Sequence, residues 1–392
     1  MTNTSDIIVI GGGINGVSTA YHLARHGVRI TLIEKNYLGG GPSGLSSAII
    51  RQHYSNPVTA RMAYDSLIVW SNFPETVGGR PVFTKTGFLV CVRPEDVAGL
   101  QANLAMQRSI GIDTRFVTAH EIKELEPLLD VVNIGAGAYE PDSGYGDPVE
   151  AITGFAEGAK RHGARILSGE CVTDLQVQND RVTGVVVEHG TISCGAVIAA
   201  TGPWSTGLFE KIGVSLPIIT ARVKVVLYRR PSSLPDHTIV ADFVSQIYLR
   251  PETGGLMLVG SISPDEETGD RVVDPDQFND KVDLDTIASF AERAAQRYHA
   301  MLDSHVTSSY ASLYDVTPDW HPIMDAVPGI EGLYLCAGSS GHGFKLAPAV
   351  GKMMAKLVLD GKQPADDINL FAFDRYEQDQ PVKGQYEYSI LG

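Results

Sequence analysis

Four cysteines are all that the 392 residues contain, and Cys91, Cys171, Cys194 and Cys336 show no CxxC spacing. That excludes a disulfide framework and a thiolate metal ribbon. Each lies in an apolar or strand-like run such as Val90-Cys91-Val92, so buried reduced thiols and a cytoplasmic setting are expected. No uninterrupted apolar stretch approaches the roughly 20 residues of a membrane helix. Met1 to Ser5 offers no basic leader and no cleavage-like site, so neither a secretion signal nor a membrane span is expected. Basic residues are scarce: 31 Lys and Arg against 46 Asp and Glu leave a formal charge of −15. At long range that charge repels phosphate backbones and anionic lipid, which makes nucleic acid and membranes poor partners. An anionic small molecule stays admissible, because one local Arg or Lys outweighs the global field at contact distance. Internal repeats and low-complexity segments are also missing.

What is present is a chain long enough for two interlocked domains, 43% hydrophobic and 20% charged. It opens with a buried strand, Asp6 to Ile10, then a glycine loop. A helix follows in which Ile14, Val17, Tyr21 and Ala24 recur until Gly27, and Val28 to Ile33 is the next strand. From about 83 to 140 the pattern turns β-rich, with Phe83 to Val92 as a strand run and Glu95 to Ile110 as a surface helix. Asp147, Pro148 and Glu150 form an N-cap, first-turn proline and N3 acid, announcing a helix to about His162. Strands are expected over Arg165 to Val177 and Arg181 to Glu188, joined at Asn179-Asp180, and over Ala196 to Ala200. A second β-rich stretch, Pro217 to Gly260, precedes a helix near Leu284 to Met301, and a helix to about Leu359 follows Gly332 to Gly338. The expected fold is α/β. A Rossmann-like nucleotide-binding domain (1–82, 141–216 and 318–375) carries a discontinuous, β-sheet-rich α+β substrate domain (83–140 and 217–317), with 376–392 as a tail.

Gly11-Gly12-Gly13-Ile14-Asn15-Gly16 satisfies GxGxxG between a strand and a helix. Gly11, Gly13 and Gly16 permit the tight turn and close approach, so that amides here and at Asn15 can hold a pyrophosphate at the helix N-terminus. Glu34, with Lys35 beside it, closes the second strand where a carboxylate can accept hydrogen bonds from ribose hydroxyls. NAD and FAD share this fingerprint.

Three segments together resemble the D-amino-acid oxidase superfamily of flavoproteins over nearly the full length. They are the N-terminal fingerprint, the loop Gly40-Gly-Pro-Ser-Gly-Leu-Ser-Ser-Ala-Ile-Ile-Arg-Gln-His-Tyr54, and Ser340-Gly-His-Gly-Phe-Lys345. Within the superfamily the resemblance is to the group of sarcosine oxidase, dimethylglycine oxidase and the proline dehydrogenase β-subunit. It implies FAD as cofactor and implies contacts to it from Ser43, Gly44, Ser46 and Ser47, from Val172, and from the second turn, Thr201, Gly202 and Trp204. It adds Gly338 and Gly341, His342, Gly343, Phe344 and Lys345 at a helix N-terminus whose positive end stabilises negative charge on the reduced flavin. The alternative for His342 is a loop packing residue.

In the resembled enzymes the arginine of the Ile-Ile-Arg motif and the lysine of Gly-His-Gly-Phe-Lys grip the substrate carboxylate. Arg51 and Lys345 fill those positions, and a bidentate fork with a point charge suits an α-carboxylate. Tyr248 and Tyr314 match aromatic walls of the substrate pocket, although a core tyrosine accounts for each as well. Two departures matter. Ser312 stands where a flavin-linking cysteine occurs, and the loop Gly39 to Ser47 lacks the histidine some relatives use, so the expected FAD is non-covalent. The strand Leu256-Met-Leu-Val259 is apolar where related oxidases carry an oxygen-activating lysine, so an acceptor other than oxygen is expected, with Lys224, Arg222 or His342 as substitute cations.

The implied activity is oxidation of the C–N bond of a small secondary or N-substituted amino acid, sarcosine, proline or opine-like, to an imine that water hydrolyses. A D-amino-acid enzyme, an NAD-linked dehydrogenase, and a flavoprotein subunit of a hetero-oligomer remain open. An electron-acceptor subunit or a homo-oligomer is the expected partner.

Overall fold

The computed structural model describes residues 4–384, so positions 385–392 of the expected tail lie outside the described residues. The opening strand, Thr4–Ile10, pairs in parallel with Ile30–Glu34 on one side and Gly190–Ala199 on the other. Arg165–Ser168 continues the parallel sheet beyond Ile30–Glu34, and Leu333–Ala337 continues it beyond Gly190–Ala199. Ile8, Val9, Leu32, Val197, Ile198 and Leu335 are fully buried, as expected of strands covered on both faces. Three helices cover one face: Ile14–Arg25, Pro148–Arg161 and Gly343–Asp360. They meet closely. A Cβ on Gly351 would lie 2.3 Å from Ser18 Oγ, which donates to Ala347 O at 2.7 Å. Asp147 accepts from Val149 N and Glu150 N, which is the cap the sequence announces.

Two expected strands divide. Arg165 to Val177 breaks at Gly169, whose φ is +76°, into Arg165–Ser168 and Val172–Gln178. The second piece forms a hairpin with Arg181–Val187 across Asn179 and Asp180, both with positive φ as a type I′ turn needs. Phe83 to Val92 breaks at Gly87, also at φ +76°. Phe83–Lys85 joins a small sheet with Gly144–Gly146 and Ile49–Ile50, while Phe88–Val92 enters a different one. That larger sheet runs, in spatial order, His305–Val316, Ile219–Arg229, Leu256–Ser261, Ile247–Glu252, Ile239–Asp242, Phe88–Val92, Ala136–Glu140 and Arg115–Thr118. Its strands are antiparallel except where Ile239–Asp242 meets Phe88–Val92.

One long helix has no counterpart in the sequence reading, nor do the short helices Phe73–Thr76, Ser205–Glu210 and Pro264–Thr268. Pro57–Ser71 starts on Asn56, whose side chain accepts from Val58 N at 2.8 Å. The thiols need correction too: Cys91 and Cys336 are buried, but Cys194 is half-buried and Cys171 exposed, because the break at Gly169 leaves Cys171 in a loop. Among the described residues no helix is long and apolar enough to cross a membrane.

Candidate active site

A cavity of about 1020 Å³ lies between the C-terminal ends of the parallel strands and the larger sheet, the usual ligand position in such a fold. At one end it is lined by Gly11, Gly13 and Asn15, by Glu34 and Lys35, and by Val172. Ser43, Ser46 and Ser47 line it from the loop, and Thr201, Gly202 and Trp204 from the second turn. Gly341, Gly343 and Phe344 line the far end, together with Tyr248 and Tyr314. Residues from nearly every segment singled out in the sequence therefore meet in one space.

Gly16, Gly44 and Gly338 do not line it, and their role is close packing. A Cβ on Gly16 would fall 1.9 Å from Gly11 O, and one on Gly44 2.2 Å from Gly39 O. Gly338 has φ +73° and gives its N–H to Asp315 Oδ2 at 2.6 Å, holding the turn that presents Ser339 and Gly341. Gly11 itself has φ +107°, and a Cβ there would lie 2.3 Å from Ala200 O.

The lining fits a dinucleotide. Glu34 is fixed at the strand end, accepting from Gly12 N at 2.7 Å and from Asn36 N at 2.9 Å. Ser43 Oγ accepts from Ile14 N at 3.1 Å, which ties the loop to the first helical turn. Lys35 lies 3.9 Å over the Trp204 ring and pairs with Asp276. Asn15 Oδ1 and Trp204 Nε1 are buried without a hydrogen-bond partner, and both belong to cavity residues, as expected where a polar ligand completes the site.

Arg51, His342 and Lys345 lie beyond the cavity wall, 4%, 4% and 8% exposed. The small sheet carries Ile49–Ile50 and so delivers Arg51; the helix Gly343–Asp360 delivers Lys345 one turn after His342. Arg51 donates to His53 O and stands 4.4 Å over the Tyr54 ring. Tyr54 Oη meets His342 Nδ1 at 3.0 Å, and His342 Nε2 has no partner. Lys345 Nζ donates to Gly341 O at 3.3 Å. Among the described residues neither Arg51 nor Lys345 forms a salt bridge. Burial, reinforced by the charge of Arg51, lowers the proton affinity of Lys345 well below the ordinary lysine value. Burial and then Lys345 and Arg51 push the proton affinity of His342 far below its ordinary value, which favours the neutral ring. Two buried basic side chains without a salt bridge favour a ligand carboxylate.

Tyr248 and Tyr314 have their phenols raised by burial. Gly260 and Gly341 give them room, since a Cβ there would come within 2.3 Å and 2.6 Å of the respective rings or hydroxyl.

Several acids and neighbours escaped the sequence reading. Glu140 is buried, accepts from Gln52 N at 2.8 Å and Ser143 Oγ at 2.7 Å, and braces the Arg51 loop. Burial raises its carboxyl to about 7, against the opposing pull of these hydrogen bonds and Arg51. His53, held by Asn103 and Gln107, has its proton affinity pushed down to about 3, first by burial. Asp315 lines the cavity and rises to about 6 by burial. An acid within the apolar run Ala311 to Val316 was a usable signal for Asp315. No local pattern marks Glu140.

A family model described as "FAD dependent oxidoreductase" matches residues 6–357. The chain belongs to this family. It is an FAD-dependent oxidoreductase in the D-amino-acid oxidase class, as its sequence resemblance implied. Mouse mitochondrial sarcosine dehydrogenase is 25% identical over 95% of the chain, which spans 41% of that protein's length. The β subunit of sarcosine oxidase from Rhizobium meliloti is 27% identical, with 95% of this chain and 88% of that one covered. The crystal structure of L-proline dehydrogenase from P. horikoshii superposes with a TM-score of 0.88 at 28% identity, covering 97% of this chain and all of the other. The flavoprotein fold, with its Rossmann-like FAD domain, is thereby shown.

Proposed function

We propose that this flavoprotein oxidises the C–N bond of a small amino acid whose amine is secondary or otherwise N-substituted, giving an imine that hydrolyses in water. The observation that carries this is the pair of buried, unpaired cations, Arg51 and Lys345, beside the tyrosine-walled end of the FAD cavity. Their charges suit one carboxylate: Arg51 as a fork, its plane set by Tyr54, and Lys345 as a point charge. Tyr248 and Tyr314 supply apolar walls for a small side chain and limit water. The relatives named above are called after sarcosine and proline, both secondary amines, which supports that amine class.

FAD would be held by the first glycine turn, Glu34, the serine loop and the Thr201 turn, and when bound supplies the two-electron acceptor. The link to it is non-covalent in this reading. Ser312 cannot act as a thiolate, and burial beside Asp315 pushes the one buried cavity thiol, Cys336, up to about 12. Acid precipitation should therefore release the yellow colour into the supernatant; colour kept in a washed pellet would refute a non-covalent link. Electrons leave to an acceptor other than oxygen, and a partner subunit is the accompanying proposal, supported by the subunit status of the Rhizobium relative. Co-purification of a second chain from the source cells tests it.

The deciding experiment is anaerobic bleaching of the flavin by a panel containing sarcosine, dimethylglycine, L- and D-proline, hydroxyproline, an opine and D-alanine. Bleaching by an N-substituted member at least about tenfold faster than by D-alanine supports the reading. Preference for D-alanine would overturn the amine class.

A further inference from the structure

Glu266 and Glu267 are consecutive residues of the short helix Pro264–Thr268 and meet opposite surroundings. Glu266 turns outward, where its Oε2 accepts from Ser261 Oγ at 2.7 Å and from Arg293 Nη2 at 3.2 Å. Glu267 is 5% exposed, its Oε2 has no hydrogen-bond partner, and among the described residues it forms no salt bridge. The helix follows the strand Leu256–Ser261, on which Gly260 takes the Tyr248 hydroxyl so closely that a Cβ would lie 2.3 Å from it. Glu267 is near enough for its charge to act on Tyr248, Tyr314 and Lys345 alike. A buried carboxyl oxygen without a donor is unfavourable. Beside the aromatic end of the cavity there are thus two basic side chains without a salt bridge and an acid with one unsatisfied oxygen, the complement of a zwitterion.

We infer that Glu267 receives the substrate's amino group: with the carboxylate at Arg51 and Lys345, the ammonium donates to Glu267 and then surrenders its proton to it. This rests on the amino-acid reading above and names a base for it. In the step an N–H bond of the ammonium breaks, the O–H bond of a carboxylic acid forms, and a lone pair is left on nitrogen. No electrons change hands in it. The neutral amine produced is the form whose adjacent C–H can be oxidised, since a protonated nitrogen has no lone pair to develop the C=N bond.

The electrostatics suit a proton acceptor. Burial raises the proton affinity of Glu267, the neighbouring Glu266 raises it further, and Lys345 opposes both. A carboxyl so tuned takes a proton near neutrality more readily than a solvated one. The other charged groups facing this helix, Arg222 and Lys224 on Ile219–Arg229, are engaged with Asp270 and, for Lys224, Asp283.

The test compares binding of sarcosine and L-proline with binding of propionate, which keeps the carboxylate and lacks the amine. Calorimetry on the holoenzyme, reduced with dithionite under argon so that nothing turns over, reads affinity alone. Glu267→Gln should weaken sarcosine and proline by about tenfold or more and leave propionate as tight or tighter, because a repelling acid is gone. Glu267→Asp should recover part of the loss. Equal losses for both classes in Glu267→Gln, or no loss in either, would overturn the assignment while leaving the amino-acid reading intact. A wild type that binds neither amino acid overturns both.

Discussion

At the strand-end side of the cavity, from Gly11 round to Trp204, the chain offers backbone amides, small hydroxyls and one fixed carboxylate. At the other side, Arg51, Glu267 and Lys345 offer buried ionisable side chains. The first kind of site needs particular backbone conformations and little else, so its signature is glycines at fixed spacing after a strand. The second kind needs charge out of water, and its members arrive from segments far apart in the chain, steadied by groups such as Glu140 that do not line the cavity. Recognition by backbone therefore depends on steric room, whereas recognition by buried charge depends on electrostatic balance, and the two should fail differently.

The largest effect is expected at the strand end. Gly11→Ala places a methyl 2.3 Å from Ala200 O at a φ of +107°, a conformation that costs an L-residue about 1–3 kcal/mol before any overlap. The variant should purify without flavin, read as the ratio of flavin to protein absorbance; normal flavin content would show that the turn tolerates a side chain. Next comes the charged end, where Arg51→Ala and Lys345→Met should each lower kcat/KM by about ten- to a hundredfold, or about 1.5–3 kcal/mol, with flavin content unchanged. Flavin lost along with turnover would erase the distinction between the two ends.

A smaller effect separates them by pH. Glu140 has its carboxyl raised from 4.5 to about 7. A raised folded-state value means that its contribution to stability is fully present below pH 4.5 and is lost as pH rises through 7. Wild type should therefore lose about 2 kcal/mol relative to Glu140→Gln between pH 4.5 and pH 8, measured by denaturant unfolding at each pH. A difference that stays constant across the window would show that Glu140 does not titrate there.

The same contrast explains what could be read in advance. The glycine turn, Glu34, the capped helix from Pro148 and the turn at Asn179-Asp180 are local patterns, and each stands where the pattern says. The breaks at Gly87 and Gly169 were hidden because a strand-like run lies on each side of both glycines, so only the choice of partner strand divides them. The helix Pro57–Ser71 carried a usable Asn-Pro start signal that its low amphipathicity obscured. Arg51 and Lys345 drew attention through a resemblance. Glu140 and Glu267 are single acids in ordinary surroundings, and only tertiary burial makes them unusual.

The smallest expected change concerns oxygen. Oxygen must take its first electron as an anion forms in a low-dielectric space, and a cation about 4 Å away would lower that barrier by about 4 kcal/mol at an effective dielectric of ~20. On the strand Ile219–Arg229, Val223 and Val225 line the cavity. Strand alternation turns Lys224 to the other face, where it stands 3.5 Å from Asp283 and 3.7 Å from Asp270. Arg222 shares that face and pairs with Asp270. The neighbouring strand presents Met257, Leu258 and Val259, all buried, and burial disfavours the charged form of His342. None of these groups therefore brings a cation to the cavity wall. Lys224→Met should leave the rate of reoxidation by air, followed by stopped flow, within about twofold of wild type, and both proteins should reduce an artificial acceptor faster than they reduce oxygen. A fall of tenfold or more in that variant would place Lys224 within electrostatic reach of the reacting oxygen, and the charged end would then extend across the sheet.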